Sequence, residues 1–409
     1  MRNIMRIITK YMIFAAALLC ALSCSKWLDV KPYRPADLTS NEKTSDYYEA
    51  LRAYRETDHQ ICFGYYSGWN GEDVVNMKLS LMGLPDSLDM VSLWGCWCNL
   101  NDSQKRDLKK AQELKGLKAL AVFIVASIGD QLTPSWIASD LAANGSVQID
   151  GITYKDQTEA SMAFWGLKPS STYADQKAEQ ADAILAVEKY ADAICDTIAK
   201  YNLDGFDFDY EYGYAGGHGN LVGESGTLSG SNAWIYNERS LKFVQRLRAN
   251  LDRIGQEKGK KMILMIDGAP ESIYPEAGQY FDYIATQAYS GGGRSGSDAM
   301  MDVRFKASVD NFAKAGLSAE WVAHRYLLLE NFENGLAQTG GGTWKDRYGN
   351  TSMMSVEGMA RWTPMINGIP VRKGGWGAYH IEYGYEVSGL DSTYPYVRKA
   401  ITIMNPVIK

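Results

Sequence analysis

Three carboxylates alternate with aromatic side chains in one short stretch of this sequence. Asp207, Asp209 and Glu211 stand two positions apart, with Phe or Tyr between them. Successive side chains on a β-strand point to opposite faces, so the acids share one face and the aromatic rings share the other. Like charges this close cannot all ionise cheaply, so we expect a shared proton or a strongly raised pKa. The pattern favours acid–base chemistry.

An edge strand with a solvated acidic face is the alternative interpretation of this stretch. Its aromatic face needs burial, however, and a loop with four glycines between residues 213 and 219 follows directly. We therefore favour a catalytic strand. Asp204 lies an odd number of positions from Asp207 and falls on the opposite face, where we expect a structural role.

The spacing of Asp209 and Glu211 leaves the mechanism open. Residues two apart on a strand are separated by about 6.6 Å, at roughly 3.3 Å per residue. Such a pair suits an inverting acid and base, and it also suits a retaining pair if the side chains converge. Spacing alone does not distinguish these two mechanisms.

Residues Asp204 to Glu211 resemble the signature of glycoside hydrolase family 18, Asp-Gly-x-Asp-x-Asp-x-Glu, at every fixed position. The resemblance implies that the substrate's own N-acetyl group is the nucleophile. It implies that Glu211 is the general acid and then the base. It also implies that Asp209 stabilises the acetamido group as an oxazolinium forms, while Asp207 shares a proton with Asp209.

The sixth predicted strand narrows the substrate class. Chitinases of this family usually carry Met-x-Tyr-Asp there, whereas Gln287-Ala288-Tyr289 resembles the Gln-x-Tyr of endo-β-N-acetylglucosaminidases. That resemblance implies that Gln287 and Tyr289 hydrogen-bond to the acetamido group. Trp376 resembles the strand-eight Trp on which the sugar ring stacks in this family; the alternative is a Trp of the barrel core.

Two further residues are predicted to contact the substrate. Tyr65 lies near the end of the first predicted strand, and Ser127 follows the third, where it resembles part of the family's Ser-x-Gly-Gly element. Asp130 replaces the second glycine of that element, which leaves the role of the loop open. His218 and His380 are expected at the rim rather than in catalysis.

Eight predicted strands, seven of them apolar runs and the fourth the acidic stretch, alternate with helical patterns along the chain. The predicted strands span residues 60–66, 90–94, 119–126, 203–211, 262–267, 283–289, 321–330 and 375–380. One long helix is predicted at 174–201, and an excursion with a small hairpin at 139–172. This order predicts a (β/α)8 TIM barrel, a single catalytic domain over residues 46–409, with its active site at the carboxyl ends of the strands.

The N-terminus predicts export and anchoring. Basic residues precede a short apolar run, so residues 1–23 are predicted to be a lipoprotein signal peptide, with Cys24 as the lipidated residue of a lipobox-like sequence. Residues 24–45 are predicted to form a tether. We therefore expect a bacterial envelope location, in an outer-membrane lipoprotein on either the surface or the periplasmic side.

Composition excludes some functions. The net charge of −6 argues against nucleic acid as a partner. Four cysteines beyond the N-terminal segment lack metal-ligand spacing, and we expect buried thiols with a disulfide left open: Cys62, Cys96, Cys98 and Cys195. Neither a metal cluster nor a phosphate-binding glycine motif is found in the sequence, so no metal or cofactor is expected.

Taken with the resemblance, these features predict an endo-β-N-acetylglucosaminidase. It would hydrolyse the β-1,4 bond of the N,N'-diacetylchitobiose core of N-glycans by substrate-assisted retaining catalysis. The expected partners are N-glycans or other N-acetylglucosamine-containing glycans. A non-catalytic surface glycan-binding protein on the same fold and a chitinase are the alternatives. The intact Glu211 favours an enzyme over a binding protein.

Overall fold

Eight parallel strands close into a barrel in the computed structural model, which describes residues 43–168, 173–212, 220–222, 233–289 and 296–406. Residues Thr44–Lys409 form one compact unit. The predicted signal peptide, nearly all of the tether, Cys24 and His218 lie outside the described residues. Within the described ranges, no helix is both long enough and apolar enough to cross a membrane.

The barrel strands follow one another in chain order around the ring, and the first pairs with the last through Ile61 and Gly375. They are β1 Ile61–Tyr66, β2 Met90–Trp94, β3 Lys118–Ile124, β4 Gly205–Tyr210, β5 Ile263–Gly268, β6 Tyr283–Gln287, β7 Tyr326–Asn331 and β8 Gly375–Tyr379. The predicted (β/α)8 TIM barrel is confirmed. The acidic stretch forms β4, the predicted fourth strand, and Glu211 directly follows it.

Helices surround the barrel and fill its connections. They are α1 Ser45–Arg55, α2 Asp102–Lys110, α3 Ser135–Asn144, α4 Gln157–Trp165, α5 Tyr173–Ala178, α6 Gln180–Tyr201, α7 Ala233–Lys258, α8 Asp298–Phe312, α9 Ala319–Ala323, α10 Leu336–Thr339, α11 Ser355–Arg361 and α12 Pro395–Met404. The hairpin expected within 139–172 pairs Val147–Ile149 with Ile152–Tyr154. Its turn residues, Asp150 and Gly151, both have positive φ, as a tight hairpin turn requires.

Two predicted elements differ from the structure by more than one or two residues at an end. The single helix expected at 174–201 is two helices, α5 and α6, because Glu179 leaves helical geometry with ψ at 6° and becomes the N-cap of α6. The seventh strand begins at Tyr326 rather than at 321, since Trp321 lies in α9. The Ser318 hydroxyl oxygen accepts a hydrogen bond from the Trp321 backbone N–H and caps that helix.

Alternating side chains of β4 are buried on both sides of the barrel wall. The aromatic face packs outward, where the Phe208 ring lies 5.3 Å from that of Phe243 on α7. The acidic face points into the barrel. Burying an aromatic side chain of this size stabilises the fold by about 1.5–3 kcal/mol, and a slip of one residue would exchange the two faces. The packing of the aromatic face therefore fixes which way the acids point.

The start of β4 is anchored at the opposite end of the barrel by Asp204. Its carboxylate accepts hydrogen bonds from the Ala119 backbone N–H at 3.0 Å and from the Lys260 Nζ at 2.8 Å. The next residue is Gly205, where a Cβ atom would lie 2.0 Å from the Ile263 carbonyl oxygen. The structure thus agrees with the structural role expected for Asp204.

The described cysteines are free thiols. Cys62 and Cys195 are buried, Cys96 and Cys98 are half-buried. Burial raises the pKa of the Cys96 and Cys195 thiols to about 12. The expectation of buried thiols thus holds for two of the four.

Candidate active site

The carboxyl end of the barrel brings the predicted catalytic residues together. Asp207 and Asp209 point inward from β4, and Glu211 follows the last residue of that strand. Gln287 ends β6, and its Nε2 donates a hydrogen bond to the Glu211 Oε1 at 2.9 Å. Tyr289, two residues further on, is half-buried beside them. Residues 76 positions apart in the chain therefore meet across the barrel mouth.

A fourth carboxyl belongs to this cluster and was not predicted. Asp267 is 1% exposed near the end of β5, in register with Asp209 on the neighbouring strand. The Gln287 Nε2 that contacts Glu211 also donates to the Asp267 Oδ2 at 3.1 Å. A single acid closing an apolar strand gave little signal by itself. Its place beside the acidic strand, at the carboxyl end of a barrel strand, was the available clue.

Asp207 lies deepest in the cluster. Its side chain is fully buried, and its Oδ2 accepts a hydrogen bond from the Ser92 hydroxyl on β2 at 2.7 Å. Burial raises the pKa of Asp207 to about 7, with the hydroxyl groups of Ser92 and Tyr65 opposing the rise. The environment of Asp207 therefore favours the protonated form of its carboxyl group.

Mutual repulsion adds to burial at the other two buried acids. Burial, followed by the charges of Glu211 and Asp207, raises the pKa of Asp209 well above its usual value. Burial and the charges of Asp209 and Asp207 do the same to the pKa of Asp267. Protons in such a cluster belong to the group of carboxyls rather than to one residue. The buried carboxyl groups thus favour their protonated forms close to Glu211, which is the most solvent-accessible acid of the cluster.

Tyr65 and Trp376 do not lie where a substrate could touch them, so both predicted sugar contacts are wrong. Tyr65 points into the barrel beneath the acids and is 2% exposed. Burial and then the charges of Asp207 and Asp267 raise its pKa well above the usual value, so its hydroxyl stays protonated. Trp376 points outward from β8 and is fully buried, and its ring centre lies 6.2 Å from that of Phe332. The alternative of a core Trp is correct.

Other aromatic rings form a wall beside the acids. Tyr379, at the end of β8, stacks on Tyr289 with ring centres 6.1 Å apart and planes at 27°. Trp94 at the end of β2 meets the Tyr379 ring edge-on at 5.7 Å. Both Tyr379 and Trp94 are half-buried, so part of each ring faces the barrel mouth. Such rings suit the apolar face of a pyranose, and neither residue was identified from the sequence.

The turn after β3 is held by the residue that departs from the family pattern. The Asp130 carboxylate accepts hydrogen bonds from the backbone N–H groups of Ala126 at 2.9 Å and Ser127 at 2.6 Å. The Tyr190 hydroxyl donates to the Asp130 backbone oxygen at 2.6 Å. Asp130 therefore fixes the loop backbone. The substrate contact of Ser127 stays a prediction.

His380 lies at the rim. Its Nδ1 is 2.7 Å from the Glu382 Oε1, and its ring stacks on the half-exposed Tyr383 at 4.6 Å. The Ser67 hydroxyl donates to the Glu382 Oε1 at 2.6 Å and lies 3.0 Å from the His380 Nδ1. This position agrees with the rim role predicted for His380.

A cavity of about 230 Å³ opens between the ends of β2 and β3, lined partly by Trp94, Trp97 and Ile124. Ile124 pairs in register with Asp209 on the neighbouring strand, but the carboxyl groups of the cluster are not among the residues that line the cavity. Among the described residues, no group of three or more His, Cys, Asp or Glu side chains is arranged to hold a metal ion.

Comparison with known proteins places the barrel in a family. A family model described as glycoside hydrolase family 18, BT1044-like, matches residues 32–148 and 143–403. A solved structure of BT1044, a selenomethionine protein with a glutamate-to-glutamine substitution, is 31% identical. The alignment covers 89% of this chain and 93% of that one, with a TM-score of 0.65.

Two further relatives are endo-β-N-acetylglucosaminidases by name. Endo-β-N-acetylglucosaminidase F2 from Elizabethkingia meningoseptica is 24% identical over 370 residues, which cover 87% of this chain and 85% of the relative. The apo structure of the endo-β-N-acetylglucosaminidase from Cordyceps militaris is 19% identical with a TM-score of 0.50, over 89% of this chain and 97% of that one, and so shows the fold alone. By the extent of the family match and the likeness to BT1044, the chain belongs to glycoside hydrolase family 18.

Proposed function

We propose that the protein is an endo-β-N-acetylglucosaminidase that cleaves the diacetylchitobiose core of N-glycans with retention of configuration. The observation that carries the proposal is the Gln287 amide, which joins Glu211 to the buried acids at the barrel mouth. The activity named for the F2 relative supports the same substrate class. In this proposal Cys24 anchors the enzyme to the envelope membrane.

The first step breaks the glycosidic bond. Glu211, the most accessible acid of the cluster, donates its proton to the glycosidic oxygen, and the bond from that oxygen to the anomeric carbon breaks. The acetamido oxygen of the same sugar attacks the anomeric carbon from the other side and closes an oxazolinium ring. The Asp209 carboxyl group accepts a hydrogen bond from the acetamido N–H and offsets the positive charge of the oxazolinium ring. The Tyr289 hydroxyl donates a hydrogen bond to the acetamido oxygen and thereby orients the acetamido group.

The second step opens the ring. Glu211, now a carboxylate, removes a proton from water as that water attacks the anomeric carbon on the face that the leaving group vacated. The two inversions give net retention. The buried acids lie in a water-poor environment, where fixed charges act more strongly than they do in water. The stacked Tyr289 and Tyr379 rings hold the sugar over this site.

Substitution of Glu211 by Gln tests catalysis directly. Loss of a positioned general acid lowers the rate by about 10²- to 10⁴-fold. The Gln side chain retains an oxygen that can accept the Gln287 N–H, so the network and glycan affinity should survive. Released glycan from a glycopeptide, measured by mass spectrometry, reports turnover, and calorimetry with the same glycopeptide reports binding.

The controls separate the alternatives. A wild-type protein that releases no glycan from high-mannose, hybrid or complex glycopeptides, yet binds one of them, is a glycan-binding protein. Faster release from chitin oligomers than from glycopeptides identifies a chitinase. Either result contradicts the proposal.

A further inference from the structure

Asp267 occupies a fixed place beside the catalytic acids. It is in register with Asp209 across β4 and β5, and its side chain is 1% exposed. The next residue, Gly268, has φ at 89°, and a Cβ atom there would lie 2.5 Å from the Tyr210 carbonyl oxygen. The Ala269 backbone N–H donates to that same oxygen at 3.1 Å. The backbone after Asp267 is therefore locked against β4, which holds the carboxyl in position.

The Gln287 side chain is held by both of its N–H bonds. One points to Glu211 at 2.9 Å and the other to Asp267 at 3.1 Å. The backbone of Gln287 is also fixed, because Arg304 on α8 donates to its carbonyl oxygen at 2.6 Å. An amide that bridges one acceptor on β5 and another directly after β4 has one defined orientation. Without Asp267, only the catalytic acid itself would orient the amide.

Asp209 and Asp267 together hold too much charge for a buried site. In each of them the Oδ1 atom is buried and receives no hydrogen bond from the described residues. Two ionised carboxylates that each have one buried oxygen without a donor would be costly to bury, and a proton held between them lowers that cost. The groups that face them are Asp207, Glu211 and the hydroxyls of Tyr65 and Tyr289, none of which is a cation.

We propose that Asp267 is a positioning residue: it anchors one N–H of Gln287 and, in place of the Asp207 expected from the family resemblance, shares one proton with Asp209 in the resting protein. The other N–H then turns from Glu211 to the acetamido group when substrate binds, which frees Glu211 to protonate the leaving oxygen. This inference rests on the proposed function for its catalytic part. The shared proton is a property of the resting protein and does not depend on the substrate.

The test compares Asp267→Leu with Asp267→Asn. Leu has no acceptor for Gln287, so kcat should fall by about 100-fold, the cost of a reacting group misplaced by about 1 Å, while KM changes less than threefold. Asn keeps an oxygen at the same place and should restore kcat to within about tenfold of wild type. Met265→Leu, also inward-facing on β5, is the matched control and should leave both constants nearly unchanged.

Infrared spectroscopy tests the shared proton. At pH 7 the wild-type protein should show a protonated-carboxyl band that loses intensity in a folded Asp267→Asn variant. An unchanged band overturns the shared proton, whether or not any variant turns over. Equal loss of kcat in the Leu and Asn variants, or a rise in KM that matches the fall in kcat, overturns the positioning role. If the wild-type protein releases no glycan, the proposed function fails, and the catalytic role of Asp267 fails with it. The infrared band still tests whether Asp267 and Asp209 share a proton.

Discussion

Tyr289→Phe removes a single hydroxyl from the barrel mouth and leaves its ring in place. Burial and then the charges of Asp267, Asp209 and Glu211 raise the pKa of Tyr289 well above its usual value, so the hydroxyl keeps its proton and remains a donor. A hydrogen bond to a charged group contributes about 1.5–3 kcal/mol. At 1.36 kcal/mol per factor of ten, kcat/KM should fall by roughly 10- to 150-fold.

Tyr379→Phe is the matched control for this substitution. The Tyr289 and Tyr379 rings stack on one another at 6.1 Å, and a Phe at either position preserves that contact. We expect the control to retain kcat/KM within about threefold, and both variants to melt within a few degrees of wild type. Initial rates of glycan release from a diacetylchitobiose glycopeptide measure the first quantity, and thermal unfolding measures the second.

Two results would refute the reasoning about Tyr289. One is a Tyr289→Phe enzyme with kcat/KM within threefold of wild type, because the hydroxyl would then make no contact that strengthens in the transition state. The other is an equal loss in Tyr379→Phe, which would assign the effect to the aromatic wall rather than to the acetamido group.

Two further predictions concern buried residues. Trp376→Phe should lower the free energy of unfolding by about 1–3 kcal/mol, measured by denaturant titration, because the ring packs in the core on the outside of the barrel. The variant should keep the wild-type KM. A large rise in KM would show that the ring contacts the sugar. Burial raises the pKa of Asp207 from 3.8 to about 7, so the folded protein binds a proton that the unfolded chain has released. Its free energy of unfolding should therefore fall by about 1.4 kcal/mol per pH unit from that group between pH 4 and 7. Asp207→Asn should remove this part of the slope, and identical slopes in variant and wild type would contradict it.

The acidic strand was largely predictable from the sequence. Alternation with a period of two is a local property, and it placed Asp207 and Asp209 on one face and the aromatic rings on the other. The succession of eight predicted strands and helical patterns predicted the barrel, since continuous apolar runs are typical of parallel strands that are buried on both faces. The Gln287-Ala288-Tyr289 stretch was found by its resemblance to a family motif.

Strand β8 shows what the sequence did not decide. Side chains of this strand, Gly375–Tyr379, alternate between the two faces of the barrel wall, and the sequence did not show which set faces the interior. We predicted that the set containing Trp376 does. A Cβ atom at Gly377 would lie 2.7 Å from the Phe63 ring and 2.9 Å from Leu329. Only a residue without a side chain fits there. The glycines therefore face inward, Trp376 faces outward, and Tyr379 reaches the site.

The positions of Asp267 and Tyr65 relative to the acids are likewise set by how neighbouring barrel strands pack and pair. An acid at the end of one apolar strand has no evident function until the register of β4 and β5 pairs it with Asp209. The depth of Tyr65 inside the barrel is likewise set by neighbouring strands. Local alternation determined which acids share a face; the closed register of eight strands, fixed by packing between distant parts of the chain, decided which side chains surround them.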